Sequence, residues 1–337
     1  MNALICLVSA AYSLLSVPAA WLQAVDSIDA NRIKAAVHYL ASDELEGRDS
    51  PSNGLNLAAQ FIAKSFDRAG LEKIIEGSYL QTTTYKNRRD IEGQVSNVVG
   101  VLRGQDPLLK ETYVLITAHY DHLGKNERLD GDQIFNGAND NASGTAGVME
   151  LAEALAKAEF RTRRSIAFIA FWGEERGMLG SKHFLESNLI PADKIVAVIN
   201  LEQIGRTDDN EGPRIAAVSM TGYDYSDIGS LFSSLAEASG IKTEKHTRNS
   251  DAYFGASDNI VFAQRGIPAH TICTAFMFPD YHRVSDHADK LDYENMAKVL
   301  RLIGLGLLTI ADSEKAPAWN LDNPRAKRFH DARSGGN

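Results

Sequence analysis

Hydrophobic residues along this chain fall into two alternating patterns. One is the short continuous run: "YVLITAHY" (113–120), "RSIAFIAFWG" (164–173), "KIVAVINLE" (194–202), "GPRIAAVSM" (212–220) and "AHTICTA" (269–275). Apolar runs of this length, bounded by polar or turn residues, predict strands buried on both faces. The other pattern repeats at helical spacing, in "ANRIKAAVHYLAS" (30–42), "GLNLAAQFIAKSFDRAG" (54–70), "SGTAGVMELAEALAKA" (143–158) and "DIGSLFSSLAEASG" (227–240). Between the first two helices, "DELEGRDSPSNG" (43–54) is rich in turn residues. Two further extended stretches, "SYLQTTTY" (78–85) and "VSNVVGVLRG" (95–104), precede the first buried run. Buried strands alternating with helices predict an α/β fold, with a mostly parallel, mixed sheet covered by helices on both faces.

No linker composition interrupts the middle of the chain, so residues 25–315 read as one domain. The tail 316–337 is polar and is expected to be loosely ordered. Residues 1–24 carry no charge, and Val17 and Ala19 are spaced like a signal-peptidase site, so this segment reads as a secretory signal. Pro18 interrupts the apolar run and argues against a stable spanning helix, and no stable membrane span is expected after signal removal. The expected location is secreted or periplasmic.

The formal net charge of −9, from 44 acidic and 35 basic residues, argues against a nucleic-acid partner, which calls for a basic face. The two cysteines are Cys6 and Cys273. With the signal removed only Cys273 would remain, which excludes a disulfide framework and a cysteine-ligated zinc site.

Several strand-like runs end in metal-binding residue types. "YVLITAHYDHLG" delivers His119, Asp121 and His122, and "FNGANDNASGTAG" holds Asp140 in a loop before a helix. "FWGEERG" delivers Glu174 and Glu175, "VINLEQIGR" delivers Glu202, and "FPDYHRVSDHADKLDYENM" holds Tyr281, His282 and Asp286. Each has an ordinary reading alone: a surface histidine, a helix cap at Asn141 or Ser143, a solvated acidic turn. Together they suit a pair of divalent ions bound by nitrogen and oxygen, at the strand ends where open α/β sheets gather ligands.

The ordered motifs "AHYDHLG", "GANDNASG", "EERGMLGS", "NLEQIGR", "RGIPA" and "YHRVSD" resemble those of the zinc-dependent aminopeptidase family typified by bacterial leucyl aminopeptidases. Glutamate carboxypeptidase, glutaminyl cyclase and the transferrin receptor are relatives in that family. The resemblance runs from "LASDELEGRDS" to "DKLDYENM" and implies a zinc-exopeptidase-like fold with two zinc ions per chain. By the family's pattern, His119 and Glu202 bind one zinc, Glu175 and His282 bind the other, and Asp140 bridges both. Glu174 is then the general base, and Asp121 orients the His119 ring from behind. Tyr281 corresponds to a tyrosine that hydrogen-bonds the tetrahedral intermediate. His122 matches no ligand. The resemblance also implies a cis peptide between Asp140 and Asn141. Three departures stand out: Glu202 where many relatives have Asp, Gln203 where Met is common, and Asn259 where His is common.

The function implied is an aminopeptidase acting on peptide substrates. The alternatives are a glutaminyl cyclase-like transferase, a carboxypeptidase on acidic dipeptides, and a receptor-like relative without metals. The complete donor set and Glu174 favour hydrolysis.

Overall fold

The computed structural model describes residues 17–334. Eight strands form the central sheet: β1 (Leu80–Lys86), β2 (Glu92–Leu102), β3 (Tyr113–His119), β4 (Ser165–Phe171), β5 (Ile195–Leu201), β6 (Ala217–Met220), β7 (Lys242–Glu244) and β8 (Ala269–Cys273). They lie in the order β1-β2-β4-β3-β5-β8-β6-β7. The central four, β4-β3-β5-β8, are parallel to one another. β1 and β2 join antiparallel on one side, and β8 meets β6 antiparallel on the other. The expected mixed, mostly parallel sheet is what forms. The runs that read as doubly buried strands are buried at every position of β3, β4, β5 and β8.

Helices cover both faces. On one side lie α1 (Ala19–Asp26), α2 (Ala30–Leu40), α3 (Asn53–Ala69), α4 (Ser143–Ala156) and, further along the chain, the 20-residue helix Tyr293–Asp312. Their apolar stripes meet Val114, Ile116, Ile166 and Phe168 of the sheet in one core. The other face carries a second core, in which Leu115, Ile169 and Phe171 meet Phe184 of α5 (Leu179–Glu186) and Phe262. Local chemistry sets the helix ends. Ser52 caps α3 by accepting from Leu55 N at 3.0 Å, and Gly70 ends it in the left-handed region at φ 72°.

The tail departs from expectation. Residues 318–330 dock on the second core, with Trp319 and Phe329 buried and Pro324–Ser334 forming a helix. Two large aromatics supply burial that the polar average of the segment conceals. Of the proposed signal, residues 1–16 lie outside the described residues, while Ala19–Asp26 is a helix with Ala24 and Val25 in the first core. No helix among the described residues is long and apolar enough to cross a membrane.

Candidate metal centre

Because the central strands are parallel, their carboxyl ends share one edge, and the loops leaving that edge converge. His119 is the last residue of β3, Glu202 follows β5 directly, and the turn Gly173–Glu174–Glu175 follows β4. Gly173 takes φ +68°, which suits glycine and turns the chain back so that both carboxylates stay at the edge. Asp140 and His282 arrive from loops. Asp140, Glu174, Glu175, Glu202, Tyr281 and His282 line one cleft of about 210 Å³.

His119 Nε2 lies 2.8 Å from Glu202 Oε1 and 3.4 Å from Asp140 Oδ1. Neither contact has hydrogen-bond geometry, so a buried ring nitrogen faces two carboxylates without a bonding partner. His282 Nε2 lies 3.1 Å from Asp140 Oδ2 and 3.3 Å from Glu175 Oε1. Asp140 thus presents one oxygen to each imidazole. His119, Asp140 and Glu202 form a group whose donor atoms could hold one ion. The longer arm of Glu202 reaches that group without difficulty. This donor set, nitrogen and oxygen around a shared carboxylate with an orphaned imidazole nitrogen, fits a pair of zinc ions.

Electrostatics point the same way. Burial alone would raise the Asp140 carboxyl, but His119 and His282 hold it well below the usual range. Burial and Asp140 push Glu175 up, and His122 and His282 override them to bring it to about 2. Burial lowers His282, while Asp140 and Glu175 lift it to about 10. The carboxylates therefore draw positive charge onto the histidines wherever no metal supplies it. Glu174 behaves differently: burial, followed by the charges of Glu202, Asp258 and Glu175, raises it well above a normal glutamate. A neighbouring cation would restore its anionic form.

The loop carrying Asp140 is held by main-chain bonding. Asn139 N and Asp140 N both donate to Asp286 Oδ2, at 3.0 Å each. Burial raises Asp286 to about 6 against these two donors. Asn141 Nδ2 donates to Leu201 O at 2.8 Å, tying the loop to the end of β5. The Asp140–Asn141 peptide is cis, as the resemblance implied.

Three details were not legible from the motifs. First, His119 Nδ1 faces the main-chain carbonyl of Asp121 at 3.2 Å, while the Asp121 carboxylate is 3.6 Å away. That carboxylate instead accepts from Glu174 N at 3.0 Å, so Asp121 positions the backbone of Glu174 as well as the His119 ring. Second, His122, which matched no ligand, sits within the cluster. Its Nδ1 is 2.9 Å from Glu175 Oε1, its ring is 5.7 Å from that of His282, and its nitrogen can join Asp140 and Glu175 in a second possible metal group. Both imidazoles reach Glu175, and His282 Nε2 faces Asp140 and Glu175 together at about equal distance. Third, Arg48 is fully buried and donates to the carbonyls of Tyr120 (2.7 Å), Asn136 (2.7 Å), Gly137 (3.0 Å) and Leu40. It ties the end of β3 to the Asp140 loop. Burial lowers it only to about 10, so it stays cationic beside Asp121, Asp286 and Asp140. In sequence Arg48 stood in a turn-rich segment, at the start of the family resemblance, and neither signal marked it as buried.

Tyr281 stacks on the His282 ring at 3.9 Å and 19°. Burial, with Asp140 and Glu175, raises its phenol above the usual range, so it remains a hydrogen-bond donor. Asn259 is buried, donating to Phe254 O and accepting from Thr271 Oγ1, each at 2.9 Å.

A zinc-type donor cluster on the carboxyl edge of an α/β sheet defines a class of metallopeptidase-like proteins. The chain belongs to Peptidase family M28, whose pattern matches residues 97–305. It is 30% identical over 199 residues to a Leptosphaeria maculans protein named "Probable zinc metalloprotease", covering 56% of this chain and 44% of that one. It is 26% identical over 237 residues to aminopeptidase YwaD of Bacillus subtilis, covering 68% and 48% respectively. The chain spans less than half the length of these curated relatives. In fold it is similar to the Legionella pneumophila LapA aminopeptidase, with TM-score 0.69 and 22% identity over 87% of this chain and 75% of that one. It is also similar in fold to Fimbriiglobus ruber glutaminyl cyclase, with TM-score 0.66 and 20% identity over 84% and 95%.

Proposed function

We propose that the protein is an aminopeptidase that removes N-terminal residues from peptides with two zinc ions and Glu174 as general base. The observation that carries this reading is the shared carboxylate: Asp140 offers one oxygen to the His119–Glu202 side and the other to the His282–Glu175 side. His119, Glu202 and Asp140 would hold one ion, and Glu175, His282 and Asp140 the other. The ions, when bound, supply the Lewis acidity that acidifies the attacking water and polarises the scissile carbonyl. Glu174 takes the water's proton and returns it to the leaving amine. The bond from Glu174 N to Asp121 keeps its backbone fixed during both transfers. Tyr281, held neutral and stacked on His282, donates to the developing oxyanion. His122 steadies Glu175.

The test is zinc-loaded protein on a panel of aminoacyl anilides, N-acetylated controls and N-terminal Gln peptides. Release from free-amino substrates but not from acetylated ones, abolished by chelator, is expected. Cyclisation of Gln peptides without release would replace this reading with a cyclase, a reading that the shared fold with glutaminyl cyclases supports.

Export completes the proposal. Ala24 and Val25 are buried against the helix Tyr293–Asp312 and α4, so a cut near Ala19 would preserve that contact. N-terminal sequencing of the protein from a native-like host should return a processed start outside the cytoplasm; an intact Met1 on cytosolic protein would overturn it.

A further inference from the structure

The docked tail lies outside the segment that matches the family, yet it leads to the cleft. Part of the cleft wall is formed by Tyr253, Ala256 and Ser257 on the loop 249–257, with Phe276 and Met277. Tyr253 stacks on Phe276 at 5.6 Å and its hydroxyl reaches Met277 Sδ at 3.4 Å. The next residue, Phe254, points the other way and is buried. Its ring meets Phe329 at 5.2 Å and Trp319 at 6.5 Å, both from the tail, and Tyr225 at 4.8 Å. Arg325 reaches Asp251 on the same loop at 2.8 Å. The tail is anchored independently: Trp319 Nε1 donates to Gly266 O at 2.9 Å and Asn320 N to Tyr225 O at 2.7 Å.

The loop is therefore gripped on both sides. Its front residues form cleft wall, and its back residue is clamped by aromatics from the tail. Little regular structure holds it otherwise, since it contains only a four-residue helical turn, Asn249–Ala252.

We propose that residues 318–330 are a positioning strap for the cleft, with Phe329 and Trp319 acting through Phe254 to fix Tyr253 and its neighbours where the substrate's side chain binds. None of the metal donors lies on this loop, although Ser257 at its end sits beside Glu202, so the strap acts chiefly on substrate affinity. The kinetic part rests on the aminopeptidase reading; the structural part does not.

The test compares full-length wild type with Phe329→Ala, Phe329→Leu and Arg325→Ala. In Phe329→Ala, amide hydrogen exchange across 249–257 should accelerate about tenfold, with β3 and α4 unchanged and zinc content equal to wild type. KM for a leucyl anilide should rise about tenfold while kcat changes less than threefold, and KM for the glycyl anilide should stay level, because glycine has no side chain to seat. Phe329→Leu should recover most of the effect. If Phe329→Ala does not fold, Arg325→Ala gives the same pattern at smaller size without opening the core. Unchanged exchange at 249–257, or exchange raised equally throughout the domain, overturns the strap. If wild type hydrolyses no aminoacyl substrate, the aminopeptidase reading fails, and exchange with zinc content still decides the strap.

Discussion

The two halves of the metal cluster are held by different kinds of structure. On one side His119 and Glu202 stand at the ends of adjacent parallel strands, β3 and β5, with the His119 side chain 1% exposed. The His119 carbonyl is itself tied down, accepting from Thr145 Oγ1 at 2.7 Å. On the other side Glu175 sits in a turn and His282 in an irregular segment, with φ 55° and its side chain 36% exposed. Strand ends fix donors through the sheet's hydrogen bonds. Loops fix them through side-chain contacts, here the buried His122 beside Glu175 at 2.9 Å, while His282 stays half-exposed. One half is thus set by the sheet, and the other by side-chain contacts around Glu175 and a more exposed His282.

The largest expected effect separates the neighbouring glutamates that join these halves. Glu174→Gln should retain both zincs but lower kcat by ~10²–10⁴, because an amide cannot accept the water's proton. Glu175→Gln should lose zinc from the loop side and regain some activity in excess metal. Zinc stoichiometry and steady-state kinetics on both variants decide it: near-normal turnover in Glu174→Gln sinks the general-base role.

Next comes metal removal. Titration with a chelator should strip the zinc held by His282 and Glu175 well before the one held by His119 and Glu202. His282→Ala should bind about one zinc per chain with its remaining site near wild-type affinity, while His119→Ala should be damaged more deeply, because it removes a buried donor and leaves Glu202 unpaired. Equal, simultaneous loss of both ions would erase the distinction between the halves.

Which parts of this arrangement were legible follows from its physics. Doubly buried strands demand continuous apolar runs, and polar residues at strand ends must follow those runs directly, so β3, β4, β5 and the positions of His119, Glu174, Glu175 and Glu202 at one edge could be read from the chain. Asp140 and His282 needed the ordered motifs as well, since loops carry no periodicity. Arg48 was hidden because its partners are main-chain carbonyls, which leave no mark on sequence. The tail was misjudged because two aromatics do the docking in a segment whose average is polar. His122 was passed over because a histidine that holds a ligand looks, in sequence, like one that holds nothing.

A smaller effect tests how tightly the loop half is built. Gly137 takes φ +58°, and an added Cβ would stand 2.3 Å from Asp140 O and 2.5 Å from His122 Cδ2. Gly177 also has positive φ, +99°, but nothing within 4 Å of such a Cβ. Both alanine variants carry the backbone strain, about 1 kcal/mol or somewhat more. Only Gly137→Ala should add a clash, for about 1–3 kcal/mol beyond Gly177→Ala in chemical denaturation, together with weaker zinc binding. Equal losses in the two would mean that the Asp140 loop yields easily.

The finest distinction concerns the two imidazoles that share Glu175. If His282 is the ligand and His122 only holds Glu175 in place, their substitutions should differ in kind. His122→Leu removes the hydrogen bond at 2.9 Å and leaves the metal donors intact. Loss of such an orienting partner lowers metal affinity by about 10–100-fold, so the loop-side zinc should weaken but still fill in excess metal. His122→Asn places an amide near the former Nδ1 and should stay within a few-fold of wild type. His282→Asn receives no such forgiveness, because an amide is a poor substitute for an imidazole ligand and the site should empty. Zinc binding by competition with a chromophoric chelator reads all three. Two retained zincs in His282→Asn, with one lost from His122→Asn, would exchange the roles and make the buried histidine the ligand; the loop half would then be as rigidly seated as its partner.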